Sequence, residues 1–201
     1  MKKLLVIATI CALSAVAADD KAKTTEKKKP AGGAMMAPKP APEARELREL
    51  VGTWKTQDTV EKAEGMMVPG GEGASTETIT LGPGGYSVVM HVRSTSGPMA
   101  NFRGVGVLAW NPEESEYKFA WVESMMPGLA VATGHKEGND IVMNGEVKMG
   151  GKAFKTKDVI SDRTATTFTL TSYVDDGSGE KKVMTMKATK EEKPAAEKAT
   201  K

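Results

Sequence analysis

Apolar and polar residues alternate with a period of two along most of the chain between Val51 and residue 189. The alternation occurs in short stretches separated by clusters of Gly, Pro, Asn and Asp, which is the pattern of strands joined by tight turns. No strong helical period interrupts it. The pattern predicts ten strands, at 52–62, 73–81, 85–95, 99–110, 115–124, 128–136, 139–148, 152–161, 164–174 and 180–189.

Consecutive short strands at this even spacing predict a meander of hairpins, and closing the sheet removes its unpaired edges. We therefore predict an all-β fold, a single antiparallel meander β-barrel of about ten strands formed by residues 43–189. A short helix is expected at residues 43–50, ahead of the first strand. Pro42 stands where a helix can begin, and Leu47 and Leu50 recur at helical spacing.

Both ends of the chain have a composition that differs from the predicted barrel. Residues 1–17 predict a cleaved secretory signal peptide, because a basic start precedes an apolar stretch and a small-x-small site ends at Ala17. Residues 18–42 and 190–201 are rich in Lys, Ala and Pro or Glu, which predicts a disordered linker and a disordered tail. The chain is thus expected to be exported, to a periplasm or to the outside of the cell.

Cysteine and charge exclude several classes of function. The single cysteine, Cys11, lies inside the apolar stretch after Ile10, so we expect neither lipidation nor any disulfide or thiolate site in the mature chain. Residues 43–187 hold 16 basic and 20 acidic side chains, a net charge of −4. That balance argues against a nucleic-acid partner. The more basic linker and tail are suited to weak contact with an anionic envelope surface.

Several short motifs resemble known barrels. The residues GTW at 52–54, after a short helix, resemble the G-x-W motif of calycins, the superfamily of lipocalins and fatty-acid-binding barrels. The order FRGVG at 102–106, WNP at 110–112 and WVESM at 121–125 resembles a bacterial domain-of-unknown-function family of exported lipocalin-like proteins. Glu123 stands where that family usually has Asp, and Trp110 where Tyr is common. The resemblance covers about residues 43–189 and implies a barrel without an established activity.

Five residues are candidates for ligand binding: Trp54, Arg103, Trp121, Glu123 and His135. Arg103 and Glu123 lie on neighbouring predicted strands beside Trp121. They are either a polar anchor in a cavity or a structural ion pair with an indole ring over the arginine. Gly104 and Gly106, inside one strand, indicate strong curvature or the close approach of a backbone or a ligand, and curvature is the simpler interpretation.

Haem is the cofactor that the sequence brings most sharply into consideration, ahead of a zinc site with both histidines or copper held by the methionines. Some ten-stranded calycins hold haem through one histidine, and His135 shares its face with Leu129 and Val131, which we expect to be the interior face. His91 shares its face with polar residues and is the weaker ligand. Otherwise no cofactor and no metal site are expected. No catalytic residue is assigned, because no G-x-S-x-G motif is present.

Three functions remain open on this evidence. The first is a non-enzymatic barrel that binds a small, mostly apolar molecule, favoured by the strand pattern and the apolar faces. The second is an envelope interaction protein with a solid core. The third is a haem-binding or hydrolytic enzyme. The sequence does not indicate an oligomeric state.

Overall fold

The structure, a computed structural model, describes residues 37–62 and 69–192. The predictions for the signal peptide, for residues 18–36 of the linker and for residues 193–201 of the tail therefore fall outside the described residues. The elements, in chain order, are α1 (Pro42–Glu46), a 3-10 turn (Leu47–Leu50), β1 (Gly52–Val60), β2 (Gly71–Leu81), a 3-10 turn (Pro83–Gly85), β3 (Ser87–Ser96), β4 (Arg103–Asn111), β5 (Glu116–Glu123), β6 (Ala130–Glu137), β7 (Asp140–Met149), β8 (Lys152–Ser161), β9 (Thr167–Asp175) and β10 (Glu180–Lys190).

The ten strands form one closed antiparallel barrel. Each strand pairs with the next along the chain, and β1 pairs with β10 to close the sheet, with Trp54 opposite Lys190 and Val60 opposite Met184. One irregularity in the β9–β10 register lies between Lys182 and Met184. The predicted all-β meander barrel of ten strands with a short N-terminal helix is confirmed.

The two largest differences from the predicted strands are at the starts of β4 and β9, which begin later because side chains and backbone there form turns. Before β4, the Ala100 amide donates to the Gly97 carbonyl and the Phe102 amide to the Met99 carbonyl. Before β9, the Thr164 hydroxyl accepts a hydrogen bond from the Thr167 amide at 2.9 Å. Such local bonds compete with sheet pairing, and period-two alternation does not reveal them.

Helix α1 and the turn after it close one end of the barrel. Leu47 and Leu50 are buried there, in the same hydrophobic cluster as Trp54 and inward-facing residues of most strands. Polar contacts tie this helix and turn, here called the plug, to the barrel: Lys136 pairs with Glu46 at 2.8 Å, and the Lys190 ammonium donates to the Glu49 carbonyl. Among residues 37–62 and 69–192 no helix is long and apolar enough to span a membrane.

The closed end holds the densest part of the core. Its largest fully buried side chains are Trp54, Tyr117, Leu47, Ile79, Leu108, Ile141 and Val88. The Trp54 indole donates to the Leu50 carbonyl at 2.8 Å, and its ring meets Phe168 edge-on with 4.7 Å between centroids. Burying a ring of this size is a large stabilising contribution, and its only polar atom has a partner.

Candidate functional site

A cavity of about 340 Å³ extends through the barrel from Leu50, in the turn after α1, to the loops at the opposite end, and it is partly open to solvent. Its wall includes residues from the ends of β1, β7 and β9 that lie farthest from the helix. The turns at 97–102 and 124–129 contribute Met99, Phe102 and Met126. The volume falls at the lower end of the range of small-molecule sites. The open half of the barrel is therefore hollow.

The cavity wall is mostly apolar and unusually rich in flexible thioethers. Its methionines are Met90, Met99, Met126, Met143, Met184 and Met186, and its aromatic residues are Phe102, Phe119, Trp121, Phe168 and Tyr173. Methionine side chains fill irregular space and adapt to different apolar shapes. Such a wall suits an apolar ligand body without fixing its shape.

Trp121 lies flat along the wall because two glycines make room for it. A Cβ atom on Gly104 would come within 2.1 Å of the Trp121 ring, and one on Gly106 would come within 2.8 Å of both Phe119 and Trp121. The ring stacks on Phe119 at 5.9 Å and on Phe102 at 6.3 Å between centroids. Side-chain packing explains the glycines directly. They create an aromatic shelf, which is the name used below for Phe102, Phe119 and Trp121.

The cavity also holds a small polar group on β1 and β2. Asp58, Ser75 and Glu77 are 5–6% exposed, and all three line the cavity. In the β1–β2 register Glu77 is opposite Trp54, so it lies in the deeper part of the cavity, one inward position from Ile79, which also lines it. Asp58, opposite Gly73, lies four residue pairs nearer the opening. Ser75 lies between them and donates a 2.5 Å hydrogen bond to Asp58 Oδ2.

Two carboxylate oxygens of this group have no partner. Within the part of the chain that the structure describes, Asp58 Oδ1 and Glu77 Oε2 are buried and accept no hydrogen bond. Burial, and secondly the charge of Asp58, raise the pKa of Glu77 to about 7. Unpartnered buried carboxylates are costly, so a group of this kind calls for an explanation.

A third carboxylate, Asp158, faces the cavity from β8. It accepts a 2.5 Å hydrogen bond from the Ser172 hydroxyl, which lies opposite it on β9. Burial raises the pKa of Asp158, and the Ser172 hydrogen bond opposes that shift. The described lining residues thus include three carboxylic acids and no Lys, Arg or His.

Of the five candidates from the sequence, Trp121 lines the cavity and Trp54 does not, because Trp54 is part of the solid core beneath it. The expected pair of Arg103 and Glu123 is not brought together. Arg103 is exposed on the outer face of β4, whereas Glu123 lies on the opposite face, at the rim. Successive side chains of a strand point to opposite faces, and Glu123 is paired with Gly104, the neighbour of Arg103, in the β4–β5 register. Arg103 and Glu123 therefore lie on opposite faces of the sheet.

The prediction that His135 faces the interior is wrong. Its side chain is 56% exposed and contacts Glu137 at 3.0 Å, and Val131 on the same face of β6 is 58% exposed. The inner face of β6 carries Ala130, Ala132 and Gly134 instead. Small residues are needed there because the bulky rings of β5 and Met143 of β7 fill the adjacent interior.

Haem ligation by histidine inside the barrel is therefore not supported. His91 is exposed on the outer face of β3, so neither histidine of the chain reaches the cavity. Across residues 37–62 and 69–192 no group of three or more His, Cys, Asp or Glu side chains is arranged to hold a metal ion. Among the described residues the cavity wall offers no histidine as a haem ligand.

Sequence reasoning overlooked Asp58, Glu77 and Asp158, although a signal for them was present. Asp58 continues the inward positions of Trp54 and Thr56, and Glu77 falls between Ser75 and Ile79 on the inner face of β2. An acid at an inward position of a strand breaks the expected alternation. Charged residues that interrupt an apolar face are rarely buried without a partner, and that rarity identifies them.

A closed ten-stranded antiparallel barrel with a hollow, mostly apolar open half defines a lipocalin-like up-and-down barrel. The chain belongs to the family described as "Protein of unknown function (DUF1579)", whose pattern matches residues 39–190. No curated protein sequence matches it.

Two solved structures are similar to this chain at low sequence identity. A redesigned β-barrel is 16% identical with a TM-score of 0.39, over 74% of this chain and 96% of its own. An S-type phycobiliprotein lyase from Guillardia theta is 15% identical with a TM-score of 0.47, over 74% of this chain and 92% of its own. At this distance the two likenesses concern the fold alone.

Proposed function

We propose that this protein binds a small, mostly apolar molecule inside the barrel and catalyses no reaction. The observation that carries the proposal is the cavity of about 340 Å³, lined by six methionines and five aromatic residues above a solid core. Apolar surface that is left open to water costs free energy, so a hollow of this composition is stabilised by an apolar occupant.

A neutral fluorescent probe, N-phenyl-1-naphthylamine, tests this proposal on the purified protein. We expect an increase in fluorescence that saturates at one probe per chain. The Ala132→Phe variant, which fills the cavity from the inner face of β6, should weaken binding at least tenfold. Ala120→Phe makes the same change on the outer face, opposite Val131 and Val107, and should bind as the wild type does.

The comparison of the two variants decides between interior and surface binding. Equal binding by both variants and the wild type would move the probe to the outside of the barrel and reject the proposal. A wild-type protein that binds no neutral apolar probe would also reject it. Circular dichroism of each variant checks that the barrel has folded. Native mass spectrometry of the protein from its own source then identifies the natural ligand by its added mass.

We also propose that the protein is exported and works outside the cytoplasm. The basis is residues 1–17, whose basic start, apolar stretch and small-residue site are typical of a signal peptide. The mass of the protein from the exported fraction is expected to correspond to a chain that begins at Ala18. A chain that keeps Met1, or protein found only in the cytoplasm, would contradict this proposal.

A further inference from the structure

The charges on the cavity wall restrict which apolar molecule fits. Asp58, Glu77 and Asp158 contribute three acids, and the described lining residues contribute no base. An anionic ligand would add a further negative charge at short range in a medium of low dielectric constant. A purely apolar ligand would cover the carboxylates and leave their oxygens without water or partners. Both ligand types are therefore disfavoured by the same residues.

The unpartnered oxygens mark where a donor group is missing. Asp58 Oδ1 and Glu77 Oε2 lie on one side of the cavity, on either side of Ser75 in the β1–β2 register. Ser75 Oγ already gives its hydrogen to Asp58 Oδ2, so the described chain offers these two oxygens no further donor. Ser75 contacts Asp58 and is the inward residue next to Glu77 on β2, so the two carboxylates flank one stretch of the wall. A protonated primary amine carries three donors and one positive charge, which suits two such oxygens in number and sign.

The rest of the wall matches the body of such a molecule. The aromatic shelf presents ring faces to the cavity, and aromatic faces attract both alkyl groups and cations. The methionines accept apolar chains of varied shape. Glu77, deeper in the cavity, and Asp58, nearer the opening, would hold the amine, with the apolar body directed towards the shelf.

We infer that the ligand is a lipophilic amine, whose ammonium group binds between Asp58 and Glu77 while its apolar body fills the methionine- and aromatic-lined space. This inference rests on the proposed binding function and deepens it. A divalent cation is the other occupant that unpartnered carboxylates suggest. The carboxylates do not form a cluster suited to a metal ion in the described chain.

Three probes of equal chain length, decylamine, decanol and decanoate, separate the amine from its competitors. Titration calorimetry at pH 8, where Glu77 is largely ionised, should show decylamine binding at least tenfold more tightly than decanol. Decanoate should bind most weakly. In the Glu77→Gln and Asp58→Asn double variant, decylamine should bind only as tightly as decanol, while decanol itself binds as before.

Matched controls make each outcome decisive. Glu146→Gln removes an exposed carboxylate from the outer face of β7 and should leave the amine preference unchanged. Should the double variant fold poorly, Glu77→Gln alone, which removes only an unpartnered buried charge, should still lower the preference for decylamine at least threefold.

Decanol binding with no preference for decylamine would overturn the amine inference and leave the proposed function standing. Absence of binding by all three probes would remove both. An amine preference that survives the substitutions would locate the amine outside the acidic group and overturn the inference.

Discussion

The closed and open halves of this barrel are built from the same ten strands but are filled in opposite ways. At the closed end, Leu47, Trp54 and Tyr117 are fully buried and do not line the cavity. In the open half the same strands surround about 340 Å³ of space, with acids on the wall. The filled core and the cavity wall meet directly on β1 and β2, because Trp54 of the core is paired with Glu77 of the wall.

This difference shows how the barrel combines stability with a polar cavity. Burial of apolar surface by the plug of α1 and the ring cluster around Trp54 stabilises the fold. The stability gained in the closed half allows the open half to keep empty volume and unpartnered carboxylates, each of which costs free energy. We therefore expect substitutions in the closed half to change stability strongly. Those in the open half should change it weakly or should even raise it.

The largest effect is expected when the two tryptophans are compared. Trp54→Ala should lower the free energy of unfolding by about 3–5 kcal/mol, because it leaves a cavity in a filled core. Trp121→Ala should cost less than half as much, because one side of that half-buried ring already faces empty space. Urea unfolding of both variants measures the difference. Equal losses would mean that the open half supports the fold as strongly as the closed half does.

Glu77 should make the open half a source of instability at high pH. Its pKa of about 7 lies above the ordinary value of 4.5, so the folded state holds the proton more tightly than the unfolded state. The wild type should therefore lose up to about 3 kcal/mol of stability as pH rises from 4.5 to 8. Asp58 is the charged group that acts on Glu77, and it adds to this loss.

The Glu77→Gln variant tests this dependence directly. Its stability should match that of the wild type near pH 4 and exceed it by up to about 3 kcal/mol at pH 8. Thermal and urea unfolding at several pH values measure the gap. Glu146→Gln, on the outer face, should show no such gap. A gap at pH 8 of zero, or of the opposite sign, would indicate that Glu77 has a favourable partner in the folded state.

A smaller effect is expected at the aromatic shelf. Gly104→Ala should destabilise the protein by about 1–3 kcal/mol, because the new methyl group would overlap the Trp121 ring. In a Trp121→Leu background the same change should be close to neutral, since all three of the nearest atoms belong to Trp121. A double-mutant cycle measures this coupling. Equal costs in both backgrounds would assign the glycine to strand curvature, as its sequence context first indicated.

Much of the fold could be predicted from the sequence, because strand period and turn residues are local signals. The ten strands, their antiparallel order and the helix near Leu47 all follow from patterns within a few residues. Starts of strands were less certain. At β9 the Thr164 hydroxyl replaces sheet pairing over three residues, and such a bond depends on side-chain geometry that periodicity does not describe.

The site was predicted less well, because the side of a strand that points into the barrel is set by its neighbours across the barrel. Trp121 was selected for its motif and lines the cavity, but Arg103 and Glu123 were paired without regard to the alternation that separates them. The two apolar residues Leu129 and Val131 made the outer face of β6 look like an interior face. On that strand the true inner face is small because rings from β5 lie against it. The sequence of one strand does not show how side chains of the neighbouring strands pack against it.

The smallest predicted effect concerns His135, the residue for which sequence and structure disagree most. Its only described side-chain contact is with the exposed Glu137, and pairs of this kind contribute little. His135→Ala should therefore change the free energy of unfolding by less than about 0.5 kcal/mol and leave probe binding at the wild-type level. Ala132→Phe, on the inner face of the same strand, should abolish most of that binding. A loss of binding in the histidine variant alone would mean that the outer face of β6 takes part in ligand binding. The division between a functional interior and a passive exterior would then not hold for this strand.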